Sequence, residues 1–183
     1  MKVLGVDIGL ANTGLAFATI NKDKIVVNDL QLITTEKSKN KSFYRNSDDL
    51  QRARSISIPL EEALHGIDMV FVEIPVGSQN ARAMAAYGIC IGVLSWVGAP
   101  LIQVRPVDIK EKTVGSKTAS KQEMIDWAVA THPKAPYLRQ SNGKILKANE
   151  HLADAIGAIH TGVQTDEYKS VVAMAEKVKT LVL

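Results

Sequence analysis

Residues 68–73, DMVFVE, form a short run that is apolar throughout its interior and closed by a carboxylate. A strand of that composition is buried on both faces, so it requires a sheet covered by a layer on each side. Three runs precede it, at residues 3–8, 13–20 and 25–35. The first two are parted by the turn chemistry of Gly9 to Asn12, and the third is rich in β-branched residues. Short turns between consecutive runs predict three antiparallel strands. A helical segment opens at Ser47, with Leu50, Ala53, Ile56, Leu60 and Leu64 on its apolar face, a basic opposite face, Pro59 bending it and Gly66 ending it. After DMVFVE, Pro75 and Gly77 turn the chain, Ser78 offers an N-cap for a helix to about Val97, and residues 100–104 make another strand, completing a βαβ unit. Ser120 caps a helix to about Thr131, Asn149 caps one to about Gly162, and a last helix runs over residues 167–181, with no element read between 105 and 119. The expected fold is α/β: a mixed five-stranded sheet, three antiparallel strands followed by parallel ones, with helices on both faces. Residues 1–183 are read as one domain, of which about 164–183 is a helical extension.

The single cysteine, Cys90, allows no internal disulfide and no cysteine-built zinc cage. The chain enters its first strand at once without a signal-like leader, and no apolar run reaches about 18 residues, so a cytoplasmic protein is expected. The net charge of +3 says little. Its distribution says more: Lys37, Lys39, Lys41, Arg45, Arg52 and Arg54 crowd one stretch, and Arg105, Lys110, Lys112, Lys117 and Lys121 another. Such clusters suit a polyanionic partner, and equally suit two solvated loops. The helix over 79–96 has a stripe of small residues, Ala81, Ala85, Gly88 and Gly92, and a larger apolar one, Met84, Tyr87, Ile91 and Leu94. Both stripes are burying surfaces, one of them for a partner subunit, unless the helix is simply central to its own core.

Asp7 lies in the first strand and Glu73 ends the DMVFVE strand; a buried carboxylate needs a cation or water beside it. In NEHLADA, residues 149–155, Glu150 and Asp154 are four apart and His151 and Asp154 three apart, so the three share a helix face. Carboxylates and an imidazole converging from two strands and a helix suit hard divalent cations such as Mg²⁺ or Mn²⁺. Without metal, such like charges should raise at least one carboxylate pKa. Gly9 and Gly14 are read as the glycines of a tight hairpin around this first motif.

These motifs resemble the RuvC-type Holliday-junction resolvases, a branch of the RNase H-like and retroviral-integrase nucleases, over about residues 2–163. VLGVDIGLANTGLAF is similar to the family's first strand and hairpin, VFVEIP to the strand with the catalytic glutamate, and HLADA to its late helix. PVDIKEKTVGSKTASK resembles the family's lysine-bearing segment, with Lys110, Gly115, Ala119 and Lys121 in register. The resemblance implies an RNase H-like fold and catalytic roles for Asp7, Glu73, His151, Asp154 and Lys121. It implies metal ligation by Asp7, Glu73 and Asp154, with the shell completed by His151, favoured on register, or by Glu150 beside it, and two Mg²⁺ per site, Mn²⁺ substituting. Lys110, Lys112, Lys117 and Lys121 would contact DNA, with Arg82 counted among them. It also implies branched DNA as substrate, paired nicks by a homodimer formed through helix 79–96, and a compact form similar to phage-type resolvases acting in the host cytoplasm. The chain departs from the family at Lys117, where a second glycine is usual, and at Val76, where an aromatic can stand.

Two other functions stay open at this level. One is a module of the same fold that grips branched DNA without cutting it. The other is an actin-like or sugar-kinase-type nucleotide-binding lobe, whose first phosphate motif is similar to VDIGLANTG but which needs a second lobe that 183 residues do not supply.

Overall fold

The computed structural model describes residues 1–181 apart from Asp23, Lys41, Pro75 and Val76, with the backbone alone for Glu176 and residues 179–181. The expected turn at Pro75 and the departure at Val76 therefore fall outside the described residues. The chain runs β1 (Lys2–Asp7), β2 (Asn12–Asn21), β3 (Lys24–Thr34), α1 (Arg45–Ala63), β4 (Met69–Glu73), α2 (Ala81–Leu94), β5 (Leu101–Val104), α3 (Pro106–Thr113), α4 (Lys121–Thr131), α5 (Asn149–Gly162) and α6 (Asp166–Leu181). The sheet order is β3-β2-β1-β4-β5. β1 to β3 pair antiparallel, while β4 pairs parallel with both β1 and β5. This is the expected mixed five-stranded sheet.

Period-two alternation sorts the strand side chains onto two cores. Leu4, Val6, Val70 and Val72 pack with Ile56 and Leu60 of α1 and Val93 and Leu94 of α2. Val3, Met69 and Phe71 pack on the other face with α3, α4 and α5, through Ile109, Met124, Leu152, Ile156 and Ile159. The same parity carries Asp7 and Glu73 to the α5 face. Parallel pairing sets them side by side, Asp7 opposite Glu73.

Glycines let α5 lie close against the sheet. A Cβ on Gly5 would collide with the Ala155 carbonyl, and one on Gly14 with the His151 carbonyl. Gly14 thus belongs to a strand and makes room for a helix, which corrects its reading as a hairpin glycine. Gly9 does sit in the tight turn, where a Cβ would meet the Asn12 oxygen at 2.6 Å.

Several local expectations shift. Residues 106–113 are helical, not loop: Pro106 starts α3 at a position where its missing N–H costs nothing, and the helix is only eight residues long. Asn80, not Ser78, caps α2 by accepting from the N–H groups of Arg82 and Ala83, so the helix is shorter than 78–97. Asn149 does not cap α5. It lies inside the helix, fully buried, and its amide pins the Leu138 backbone in both directions. On α1, which continues through Pro59, Leu50 is exposed while Asp49 and Arg52 are buried. An ion pair with α2 has overridden the apolar periodicity there.

Candidate active site

Asp7 and Glu73 stand at neighbouring strand ends beneath α5, which supplies His151 and Asp154. His151 Nδ1 lies 2.7 Å from Asp7 Oδ2, and its Nε2 lies 3.5 Å from Glu150 Oε1. Glu150 also accepts from Lys121 Nζ at 2.9 Å. A chain of contacts therefore runs from the exposed Lys121 through Glu150 and His151 to Asp7.

The electrostatics are those of acids forced together. Burial, then the charges of Asp7 and Asp154, raise the Glu73 carboxyl far above its ordinary range, with Lys110 opposing weakly. Burial and Asp7 push Asp154 up to about 7, against the lowering influence of His151 and Lys110. The hydrogen bond to Asp7 raises His151, favouring the imidazolium. No arginine contributes to the Glu73 or Asp154 shift. A divalent cation would reverse these shifts by giving the carboxylates a shared counter-charge.

Among the described residues, no group of three His, Cys, Asp or Glu side chains is placed to hold a metal ion as it stands. Asp7 is hydrogen-bonded to His151, and Glu150 faces Lys121. The donor set itself suits a hard cation: oxygens from two adjacent strand ends and a helix, with an imidazole, and with like charges that repel one another without it.

The structure thus brings Asp7, Glu73, His151, Asp154 and Glu150 to one place, with Lys121 at the rim and Lys110 near enough to act on both Glu73 and Asp154. Lys112 and Lys117 lie farther out on the exposed surface of α3 and the loop after it, and Lys117 pairs with Glu111 at 3.6 Å. Gly115 turns that loop at φ +84°, a conformation for which the glycine is required. Arg82 is elsewhere. Both its terminal nitrogens bind the Asp49 carboxylate in a bidentate fork that ties α2 to α1. The sequence carried a weak signal for that pair, an acid on the predicted apolar face of α1.

No protein-family model matches the chain. The crossover junction endodeoxyribonuclease RuvC of Prochlorococcus marinus is 24% identical over 168 residues, spanning 89% of this chain and 98% of the relative. The protein of the same name from a second strain is 29% identical over 128 residues, 69% of this chain and 78% of the relative. The structure described as Thermus thermophilus RuvC in complex with Holliday junction substrate superposes with a TM-score of 0.65 at 21% identity, over 88% of this chain and 92% of that one. Over most of its length this chain is similar to the RuvC-type resolvases. The fowlpox virus Holliday junction resolvase shares the fold more distantly, with a TM-score of 0.52 at 15% identity over 90% of this chain and 98% of that one. The RuvC-type architecture accounts for the mixed sheet and for the late helix laid across its central strands.

Proposed function

We propose that the chain is a metal-dependent, structure-selective endonuclease that resolves four-way DNA junctions, and other branched DNA, by paired nicks. One observation carries the reading: parallel register sets Asp7 beside Glu73 under His151 and Asp154 of α5, a cluster of acids with lysines at its edge. The curated relatives named crossover junction endodeoxyribonuclease support the same class.

Asp7, Glu73 and Asp154, with His151, would hold Mg²⁺ or Mn²⁺, two ions per site. When bound, such ions supply charge stabilisation and an activated water for phosphodiester hydrolysis. The chain's own residues do the rest. His151 orients the Asp7 carboxylate through its Nδ1 contact. Glu150 serves as the holder of Lys121, which keeps the ammonium at the mouth of the site until a phosphate replaces the carboxylate. Lys110 offers a second cation close to the acids. Lys112 and Lys117 add charge farther along the DNA path.

Paired nicks require two sites, and the outer face of α2 supports a homodimer. Ala81, Ala85, Gly88 and Gly92 are exposed, with nothing within 4 Å of a Cβ added at either glycine. Met84 is 45% exposed and Ile91 50%, and a groove of about 760 Å³ lined by Leu50, Ala53, Ala85 and Ile89 runs between α1 and α2. A second copy laid across small residues could approach closely. The whole chain acts in this reading as one domain in the cytoplasm, as a phage-type resolvase would. Among the described residues no helix is long and apolar enough to cross a membrane.

The deciding experiment compares labelled four-way junction, flap, fork and duplex with Mg²⁺ or Mn²⁺. Symmetric nicks in the junction are expected. Tight junction binding without cleavage in either metal would support the binding-only module instead. Light scattering at micromolar concentration should report a dimer, and a persistent monomer would remove paired incision.

A further inference from the structure

Residues 36–45, EKSKNKSFYR, run from the connection after β3 into the first residue of α1 and carry Lys37, Lys39, Lys41 and Arg45 against Glu36 alone, with Phe43 and Tyr44 among them. The start of this connection is fastened to the turn that follows Asp7. Thr35 N–H donates to the Ala11 carbonyl at 2.9 Å, Arg52 Nη2 donates to the Leu10 carbonyl at 3.0 Å, and Arg52 Nε donates to Thr35 Oγ1 at 2.9 Å. The loop therefore leaves the sheet at the carboxylate end. Farther along, Ser38 N–H donates to Asp48 at 2.9 Å, and Lys37, Phe43, Arg45 and Arg82 help to line a cleft of about 230 Å³.

Tyr44 occupies the N-cap of α1, where serine, threonine, aspartate or asparagine is preferred, yet its side chain caps nothing. It is 83% exposed. Lys37, Lys39 and Arg45 around it are exposed too. A large ring held at a helix start, open to solvent and flanked by cations, combines the two elements of sequence-tolerant nucleic-acid contact: a stacking platform and a charged track for phosphates.

We infer that the β3–α1 loop is a second DNA-contacting surface, on which Tyr44 stacks against an unpaired base at the branch while Lys37, Lys39 and Arg45 hold the flanking phosphates. The inference rests on the branched-DNA reading and adds the part of the branch that this side of the protein engages. Phe43 is half-buried and lines the cleft.

The test measures binding in EDTA to a fork with single-stranded arms, to a four-way junction and to uninterrupted duplex, using full-length protein and its Tyr44→Ala, Tyr44→Phe and Lys37→Ala/Lys39→Ala variants. Tyr44→Ala should weaken fork binding by about tenfold, leave duplex binding within about twofold, and abolish quenching of a 2-aminopurine placed at the branch. Tyr44→Phe should retain both affinity and quenching. The double lysine variant should weaken binding to every DNA and lower the salt slope by about two. Equal loss on fork and duplex, or undiminished quenching in Tyr44→Ala, would overturn the stacking role while wild-type preference for branched DNA stands. A wild-type protein that binds duplex as well as fork and junction would instead overturn the branched-DNA reading, and this inference with it.

Discussion

Two carboxylates on opposite faces of the sheet, Asp49 buried and Asp154 half-buried, are treated in opposite ways. Asp49, on α1, receives a bidentate fork from Arg82 and has Arg52 at 4.0 Å, and its carboxyl is held below the ordinary range by the Arg82 hydrogen bond. Asp154, on α5, is raised to about 7 by burial and by Asp7. The chain neutralises a buried acid where that acid joins two helices. Beneath α5 it leaves acids facing one another, with cations only at the margin. Such uncompensated repulsion persists where it serves a ligand, because the fold gains nothing from it.

The contrast breaks first at the site. Asp7→Asn should abolish junction cleavage while leaving metal-free junction binding within a few-fold of wild type, as read by gel assay. Full activity in that variant would remove the cluster from the chemistry. Asp154→Asn should abolish cleavage too, yet raise the metal-free Tm at pH 8, since it removes a repelling charge; about 1 kcal/mol there corresponds to roughly 2–4 °C.

Asp49→Ala should do the reverse, keeping the site's acids intact and costing about 3 kcal/mol, because it leaves Arg82 and Arg52 without their shared counter-ion. Denaturant unfolding measures it. An unchanged midpoint would mean that the α1–α2 junction does not depend on the pair.

A third, half-buried cluster sharpens the comparison, because it sets two bases against each other. His132 and His160 meet Nε2 to Nε2 at 2.7 Å, with Trp127 edge-on to His160 at 5.2 Å. Burial lowers both, His160 to about 4 with the help of His132. The unfolded chain therefore takes up protons first. The stability this pair contributes is present above about pH 6.5 and is lost as pH falls toward 4, at up to about 1.4 kcal/mol per pH unit for each histidine that stays neutral in the fold. Thermal melts from pH 7 to pH 5 should show the loss, and His160→Phe should flatten it. An equally steep profile in that variant would place the acid sensitivity elsewhere.

The smallest effect concerns Glu150. If it only holds Lys121, Glu150→Gln should tighten metal-free junction binding by a few-fold, and the gain should vanish in a Lys121→Ala background. Additive effects would separate the two residues.

Much of this was legible in the chain. DMVFVE demanded a doubly covered sheet, and carboxylates on two strands marked Asp7 and Glu73 as one site, while their side-by-side register awaited the β1–β4 pairing. The spacing of His151 and Asp154 needs only the pitch of a helix. α3 was not legible, because eight residues starting at a proline present too few turns for a periodicity to show. Nor was the Asp49–Arg82 pair, because an acid at apolar spacing on α1 names no partner until another helix arrives.

By itself, then, the sequence determined which side chains share a face, since that follows from repeats of two and 3.6 residues along the backbone. Only the tertiary structure decided which charge meets which. Lys121 lies 29 residues from Glu150, Asp49 lies 33 from Arg82, and His151 lies 144 from Asp7. Contacts at such separations depend on how closely α5 can settle over Gly5 and Gly14 and how α2 crosses α1. Electrostatic energy falls with distance and grows as charges leave water, whatever their positions in the chain, so it could not be read before the packing was known.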